Sequence, residues 1–243
     1  MIRASILLLS ICISFTFSQY CSSYTNCDTY ECHEPNYNAD ILVWLEQEGP
    51  AFKEFHSSMQ QAVDIMTSYG GTVSDDINIL HMTLQYYCCY NLTQYETIIN
   101  VIQSLEWEPF ELKFSHAVCN SGGDGRAEDT SLITLLDDKG QKQMEAFVAS
   151  IEQAVQNAGI PIHVPRSQQE PFHSTIGVVN STTPASEIVD QINKQVTVWN
   201  QTPMRVDWFF LMTPPHVFHS ANSTLVPQPI RIGRPKIKDG KGF

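Results

Sequence analysis

Basic residues are scarce in this chain of 243 residues. It has 14 Lys and Arg against 26 Asp and Glu, which gives a formal net charge of −12. Proteins that grip long nucleic acids neutralise phosphates with many Lys and Arg side chains. The acidic balance therefore argues against a long nucleic acid as partner, whereas a small anionic substrate held in a local pocket is compatible with it.

The chain also lacks an apolar run long enough to span a membrane, which takes about 20 residues. Its longest apolar run, Ile6 to Phe17, follows Arg3 and has the length typical of a secretory signal. We expect a signal peptide over residues 1–18, with Gln19 as the new terminus, and a secreted, extracellular protein with no membrane partner. An uncleaved anchor is the alternative.

Standard metal-ligand spacings are missing as well. The segment Cys21 to His33 holds three cysteines and a histidine, but their intervals match no common zinc pattern. The His-x-x-His at His216 to His219 is isolated and follows two prolines. A zinc site at the N-terminal cluster is the alternative to disulfides there, and we expect no metal and no cofactor.

What the sequence does contain is one short pattern in two copies, Leu80-His81-Met82-Thr83-Leu84 and Phe172-His173-Ser174-Thr175-Ile176. Each copy places a histidine two residues before a threonine. On a strand, side chains at i and i+2 share a face, so each copy presents an imidazole and a hydroxyl together. Two imidazoles can serve as acid and base around one phosphate, and two hydroxyls can donate hydrogen bonds to its oxygens.

The motifs His-Met-Thr-Leu and His-Ser-Thr-Ile, 92 residues apart, resemble those of the 2H phosphoesterases over about residues 38–220. The resemblance implies an α+β, bilobal fold in which two antiparallel sheets, in a pseudo-twofold arrangement, form a concave cleft with helices outside. It implies a hydrolase with His81 and His173 as catalytic residues and Thr83 and Thr175 as substrate-binding residues.

The substrate that the resemblance implies is a 2',3'-cyclic phosphate or a 2'-linked phosphodiester of a small nucleotide or oligonucleotide, cleaved without a metal. A cyclic-dinucleotide or 2'-5' oligoadenylate hydrolase is an alternative within the same class. An inactive secreted nucleotide-binding module is the alternative of another class, and a zinc hydrolase is a third. Which histidine is the acid stays open, as does the oligomeric state.

Further substrate contacts are weaker candidates. Arg126 lies in a Gly-rich loop and is a candidate phosphate contact, with a solvated loop arginine as the alternative. Tyr86 and Tyr87 follow the first motif, and Trp208 to Phe210 lie on a late apolar strand. One of these rings is a candidate for stacking on a base, and most are expected in the core.

The pattern of apolar residues predicts helices and strands in a repeated order, with a helix, a motif strand and another helix in each half. The predicted strands are Ile41–Leu45, His81–Tyr90, Phe110–Val118, Ser131–Leu136, His173–Val179 and Met204–Met212, and the predicted helices are Pro50–Tyr69, Tyr95–Leu105, Gln141–Asn157 and Ser186–Val196. A cysteine-rich extension, residues 19–37, precedes the domain of residues 38–220.

A basic tail rich in Pro and Gly, residues 221–243, follows the domain. The tail is interpreted as a solvated, disordered segment, and the alternative is that its Lys and Arg side chains attract nucleotides electrostatically.

Six cysteines remain after the signal, and an even count in a secreted chain indicates disulfides with fifteen formal connectivities. They are Cys21, Cys27, Cys32, Cys88, Cys89 and Cys119.

Four Asn-x-Ser/Thr triplets are candidate glycosylation sites in a secreted chain. They begin at Asn91, Asn180, Asn200 and Asn222. Pro203 makes Asn200 the weakest of the four.

Overall fold

The computed structural model describes residues 37–44, 49–73, 81–121, 129–168, 171–180, 182–206, 209–212, 230–231 and 234–235. Arg126, Asn222, the predicted signal peptide and the cysteines before residue 37 lie outside them. The strands are β1 Tyr37–Trp44, β2 His81–Tyr90, β3 Glu106–Trp107, β4 Phe110–Leu112, β5 Phe114–Ser121, β6 Asp129–Leu136, β7 His173–Asn180, β8 Met204–Val206, β9 Phe210–Met212, β10 Ile230–Arg231 and β11 Arg234–Pro235. The helices are α1 Pro50–Ser68, α2 Leu92–Ser104, α3 Asp138–Asn157 and α4 Ala185–Gln195, with a 3₁₀ turn at Arg166–Gln168.

The helices follow from apolar residues at intervals of three and four and from defined ends. α1 starts with Pro50 at its first position and stops before Gly70, which has a left-handed φ of 86°. α2 begins with a capping box, in which Asn91 and Gln94 each accept a hydrogen bond from the other's backbone N–H. The Asp137 side chain caps α3 by accepting from the N–H of Gly140.

The expected fold class is confirmed. Two antiparallel sheets dominate the described residues: a four-stranded sheet in the order β10-β9-β1-β2 and a three-stranded sheet in the order β5-β6-β7. Two short pairs complete the strands, the antiparallel β4-β8 and the parallel β3-β11. The four helices pack against these sheets and share one continuous apolar core. Within this described part of the chain, no helix has both the length and the apolar character that crossing a membrane requires.

Helices α1 and α3 each pack against elements of the other half of the chain. α1 precedes β2 in sequence but contacts β7 and α4, whereas α3 precedes β7 but contacts β2 and α2. Each large sheet is therefore covered by one helix from each half of the chain. This crosswise packing ties the two motif strands into a single core.

Three predictions about strands differ from the structure. The run predicted as one strand, Met204–Met212, holds two strands, β8, which pairs with β4, and β9, which pairs with β1. The apolar run from residue 110 was expected as one strand, but it divides into β4 and β5 at Lys113. The side chain of Asn200 causes the division, because its Nδ2 donates to Leu112 O at 3.2 Å and its Oδ1 accepts from Phe114 N at 2.9 Å. The prediction of a disordered tail over residues 221–243 is wrong for β10 and β11. These two strands lie within that range and pair with β9 and β3.

The role of Asn200 also corrects its assignment as a glycosylation site. Its side chain is 3% exposed, and Nδ2 donates a second hydrogen bond to Thr202 O at 2.8 Å. A glycan is attached through this same nitrogen, so it would displace these bonds and require space inside the protein. The structure is therefore incompatible with a glycan on Asn200.

A tight packing point at Gly177 gives a first prediction. A Cβ there would lie 2.6 Å from the backbone oxygen of Thr72 and would also collide with Met66 Cε. Thr72 and Val178 exchange two backbone hydrogen bonds at this point, which anchors the end of α1 to β7. Gly177→Ala is expected to destabilise the protein by about 1–3 kcal/mol, measured as the urea midpoint, because backbone atoms must move.

The matched control for this variant is Gly140→Ala in the first turn of α3. There the nearest atom to an added Cβ is Asp137 Oδ1 at 3.1 Å, a side-chain atom, and alanine favours a helix. An unchanged midpoint for Gly177→Ala would show that the Thr72 bridge is not a fixed contact.

Candidate active site

The two motifs lie on the edge strands of the two large sheets. β2 ends the four-stranded sheet and β7 ends the three-stranded sheet. Residues of β2 and β7 approach within 8 Å between Cα atoms, so the two motif-bearing strands are neighbours across the junction of the sheets. Chain segments 92 residues apart in sequence are thereby brought to one place.

Both copies leave the histidine and the threonine partly exposed. His81 and Thr83 are partly exposed on β2, while Met82 and Leu84 between and after them are buried. In β7 the partly exposed residues are His173 and Thr175, and Phe172, Ser174 and Ile176 are buried. Each strand therefore presents an imidazole and a hydroxyl on one accessible face, as the i, i+2 spacing predicted.

A β-bulge follows the threonine in both strands. Along β2, Thr83 pairs with Leu42 and Gln85 pairs with the adjacent Ile41, so Leu84 is the extra residue. The pairing of β7 with β6 skips Ile176 in the same way. A bulge changes which residues share a face beyond it. The two motif strands therefore share the position of the bulge as well as the motif, although their sequences differ elsewhere.

The ring of His173 is held in one tautomer by the backbone. Its Nδ1 lies 2.7 Å from the carbonyl oxygen of Pro171, and a carbonyl oxygen only accepts hydrogen bonds. Nδ1 therefore carries a proton whether the ring is neutral or charged, and Nε2 is the nitrogen that gains and loses a proton. This is the arrangement that proton transfer to or from a substrate needs.

The structure separates the two tyrosines that follow the first motif. Tyr87 is fully buried, and burial raises the pKa of its hydroxyl well above the usual value. Beyond the bulge, Tyr86 is the partly exposed residue. Tyr86 therefore remains as a stacking candidate on the His81 strand, whereas Tyr87 belongs to the core. Phe209, another candidate, is buried against Trp107.

Arg166 is a cation near the second motif that sequence reasoning did not single out. Its guanidinium lies 3.8 Å from the ring centroid of Phe172, the residue before His173, and its backbone N–H donates to Glu152 Oε1 at 2.7 Å. The only sequence signal was its position seven residues before the motif histidine. Arg126, which the sequence did suggest, lies outside the described residues.

Two histidines outside the motifs, among the residues that the structure describes, have surface or packing positions. His116 is exposed on β5, and its Nδ1 lies 2.8 Å from Ser115 Oγ. His163 stacks on Tyr90 with ring centroids 4.5 Å apart. Across the described residues, no group of three or more His, Cys, Asp or Glu side chains is placed to hold a metal ion.

The described cysteines correct one part of the disulfide prediction. Cys89 is disulfide-bonded. Cys119, expected in a bridge, is not part of a disulfide; it is 2% exposed on β5 among the apolar residues of the core. A buried thiol of this kind packs as a small apolar side chain.

Two of the glycosylation candidates are exposed and keep their amide nitrogens accessible. Asn91 caps α2 through its Oδ1, and Asn180 accepts from Thr182 and Thr183 through its Oδ1. Neither role uses the nitrogen to which a glycan is attached. Glycosylation of Asn91 and of Asn180 therefore stays a prediction, and the fold is compatible with it.

Comparison with known proteins gives structural matches only: no protein-family profile matches the chain, and no curated protein matches it in sequence. Kluyveromyces marxianus Usb1 with uridine monophosphate aligns at 11% identity and a TM-score of 0.48, covering 74% of this chain and 95% of that one. E. coli LigT complexed with 3'-AMP aligns at 10% identity and 0.44, covering 81% and 95%.

A structure described as a phosphoesterase aligns at 12% identity and a TM-score of 0.49, covering 82% of this chain and 99% of that one. At these identities and TM-scores the likeness concerns the fold alone. Since one fold can serve many functions, a function for this chain has to be argued from its own site.

Proposed function

We propose that this chain is a 2H phosphoesterase, a hydrolase that cleaves a 2',3'-cyclic phosphate or a 2'-linked phosphodiester of a small nucleotide or oligonucleotide. One observation carries the proposal. Two neighbouring edge strands each present a partly exposed histidine and threonine on one face, followed by the same bulge. Two imidazoles and two hydroxyls are the groups that general acid–base hydrolysis of a phosphodiester requires.

In the proposed reaction a water molecule attacks phosphorus, and the bond from phosphorus to one ribose oxygen breaks. One motif imidazole takes a proton from the water, and the other gives a proton to the departing oxygen. The two histidines end the step with exchanged protonation states and return to the starting state through solvent. Because Nδ1 of His173 donates to the Pro171 carbonyl, Nε2 is the nitrogen that would transfer the proton in either role.

Thr83 and Thr175 are assigned to the phosphate. Their hydroxyls share the partly exposed faces of His81 and His173, so they can donate to the non-bridging oxygens while charge increases there. The acidic composition of the chain fits a small substrate bound by such local donors better than a long polyanion.

We also propose that the protein is secreted. The proposal is supported by the apolar run after Arg3, whose length suits a signal peptide, and by the disulfide at Cys89. N-terminal sequencing of protein collected from the medium of expressing cells tests it, and a terminus at Gln19 is the expected result.

The test of the proposed function is a pH profile measured in excess EDTA. If one imidazole must be deprotonated and the other protonated, kcat/KM for a 2',3'-cyclic mononucleotide is bell-shaped. Its acidic limb falls as the base gains a proton, and its alkaline limb falls as the acid loses one. Both limbs are expected to persist in EDTA, and replacing His81 or His173 is expected to flatten one limb each, which assigns the roles.

The outcome that contradicts the proposal is activity abolished by EDTA and restored by zinc, which indicates a metallohydrolase. A chromatographic screen of cyclic mononucleotides, cyclic dinucleotides and 2'-5' oligoadenylates then identifies the substrate within the class. Nucleotide binding without turnover of any of them would identify the inactive binding module instead.

A further inference from the structure

Each motif strand contacts the chain segment that leads into the other motif strand. On β7, Val178 exchanges two backbone hydrogen bonds with Thr72, which lies nine residues before His81. On β2, Gln85 donates a hydrogen bond from Nε2 to the carbonyl oxygen of Val164 at 3.1 Å. Val164 likewise lies nine residues before the second motif histidine. The two contacts therefore occupy equivalent places in the two halves of the chain.

The residue that makes or permits this contact is the second one after the motif threonine. It is buried in both strands, as Gln85 in β2 and as Gly177 in β7. Gly177 has no side chain, so the backbone of β7 can approach Thr72 and bond to it directly. On β2 the contact runs through a side chain instead, since Gln85 Nε2 donates both to Val164 O and, at 3.2 Å, to Tyr86 O. The Gln85 amide thus takes the place of the direct backbone pairing in the other half.

The segment at Val164 leads to the ring of His173. Two residues after Val164, the guanidinium of Arg166 lies over the ring of Phe172, 3.8 Å from its centroid. Phe172 is fully buried, and its chain neighbours are His173 and Pro171, whose carbonyl oxygen accepts from His173 Nδ1. Because buried groups are closely packed, a displacement of the segment is transmitted through the Arg166 contact to the groups that orient the imidazole.

Stability alone does not account for the amide of Gln85. The side chain is fully buried, and its Oε1 has no hydrogen-bond partner among the described residues. A buried acceptor without a partner costs about as much free energy as a hydrogen bond contributes. An apolar side chain of the same length would avoid this cost, which points to a positional role of the amide.

We propose that Gln85 is a positioning residue for His173. Its amide holds Val164 in place, and with it the segment that sets the Pro171 carbonyl against Nδ1 of the imidazole. The inference rests on the proposed phosphodiesterase function, in which Nε2 of His173 transfers a proton. One side chain on the strand of the first catalytic histidine therefore fixes the orientation of the second.

The first experiment is a double-mutant cycle with Gln85→Met, which keeps the length of the side chain and removes both of its hydrogen bonds. In wild type, kcat for a 2',3'-cyclic nucleotide is expected to fall about 10-fold with KM nearly unchanged, since small displacements of a catalytic group act on the chemical step. In the His173→Ala background, Gln85→Met should have no further effect on kcat. In the His81→Ala background, it should keep its full effect, because His173 still acts there.

The control for this variant is Asn193→Leu on α4. Asn193 also makes two side-chain hydrogen bonds to backbone, to the N–H of Ala117 at 2.8 Å and to its carbonyl oxygen at 2.9 Å. It has no assigned role in the reaction and should leave kcat at the wild-type value. The urea midpoint of Gln85→Met should stay close to that of wild type, because the unpartnered Oε1 is removed together with the two bonds.

A second variant interrupts the same path at its next contact. Arg166→Met removes the guanidinium from the ring of Phe172 at a partly exposed position, where folding does not depend on the charge. It is expected to lower kcat in wild type and to have no effect in the His173→Ala background. This variant tests the path independently if Gln85→Met does not fold.

Nitrogen-15 NMR of the imidazoles gives a readout that does not depend on turnover. In wild type, the neutral ring of His173 is expected to carry its proton on Nδ1, because the Pro171 carbonyl accepts it. In Gln85→Met, a measurable share of the neutral ring is expected to carry the proton on Nε2 instead. Asn193→Leu should keep the wild-type pattern.

The outcomes separate the inference from the function it rests on. If wild type hydrolyses the substrate and Gln85→Met leaves kcat unchanged, or lowers it equally in the His173→Ala background, the positioning role is wrong and the phosphodiesterase stands. If wild type hydrolyses no cyclic nucleotide, the proposed function is wrong, and an altered tautomer in Gln85→Met supports the positioning of His173 by itself. A tautomer identical to that of wild type overturns the positioning role in either case.

Discussion

Replacing either motif histidine with alanine is expected to lower kcat at least about 100-fold, the usual contribution of a general acid or base. His81 and His173 are both partly exposed, and they lie on separate edge strands whose residues approach each other within 8 Å between Cα atoms. Removal of either leaves one proton transfer without a partner. Steady-state hydrolysis of a 2',3'-cyclic nucleotide measures the effect.

The control for these variants is His116→Ala. This histidine is exposed on β5, in the same sheet as β7, and has no assigned role in the reaction. It should keep wild-type kcat. Turnover close to wild type in folded His81→Ala or His173→Ala would rule out a reaction that uses two histidines.

Thr83→Val and Thr175→Val are expected to lower kcat about 100-fold each, the scale observed when a donor to a developing charge is removed. Valine has nearly the shape of threonine but cannot donate, so the partly exposed position on β2 or β7 keeps its packing. The loss should fall on kcat because the hydrogen bonds strengthen as charge increases on the phosphate oxygens. The same steady-state assay measures it.

Serine at the same positions provides the matched comparison. Thr83→Ser and Thr175→Ser keep the hydroxyl and lose only a methyl group, so they should retain most of the activity. Equal losses in the Ser and Val variants would indicate that the threonines serve packing, and the assignment of their hydroxyls to the phosphate would then be incorrect.

Sequence alone could predict that the histidine and the threonine of each motif share one accessible face, because this depends only on the two-residue period of a strand. His81 and Thr83 are two residues apart between apolar neighbours, and the structure gives them the alternating exposure that this spacing predicts. The same holds for His173 and Thr175. Two helices, α1 and α3, were also predicted to within a few residues, because their apolar intervals and their glycine stops are local signals.

The start of α2 could have been predicted better. The helix begins at Leu92, three residues before the predicted start, and its capping box at Asn91 and Gln94 is visible in the sequence. Asn91 had been interpreted only as a glycosylation site. The two interpretations use different atoms of one side chain, so one did not exclude the other.

Long-range pairings were not predictable from local patterns. The division of β4 from β5 depends on Asn200, whose side chain arrives from 88 residues away in sequence to reach Leu112. The exchange of α1 and α3 between the sheets depends on how the two halves pack, which no single segment encodes. The number of cysteines likewise predicted a bridge for Cys119, although the fold buries this residue in the apolar core.

The extra residue in each motif strand determines which changes of length the gene can tolerate. Leu84 and Gln85 are both buried, so deleting Leu84 would restore regular pairing and leave the later side chains of β2 on their present faces. The same holds for Ile176 in β7, where Gly177 is also buried. Loss of Met82 or Ser174, in contrast, would make the motif histidine and threonine adjacent and turn them to opposite faces. Lineages of this protein should therefore tolerate the loss of one codon after each threonine, but not between the histidine and the threonine.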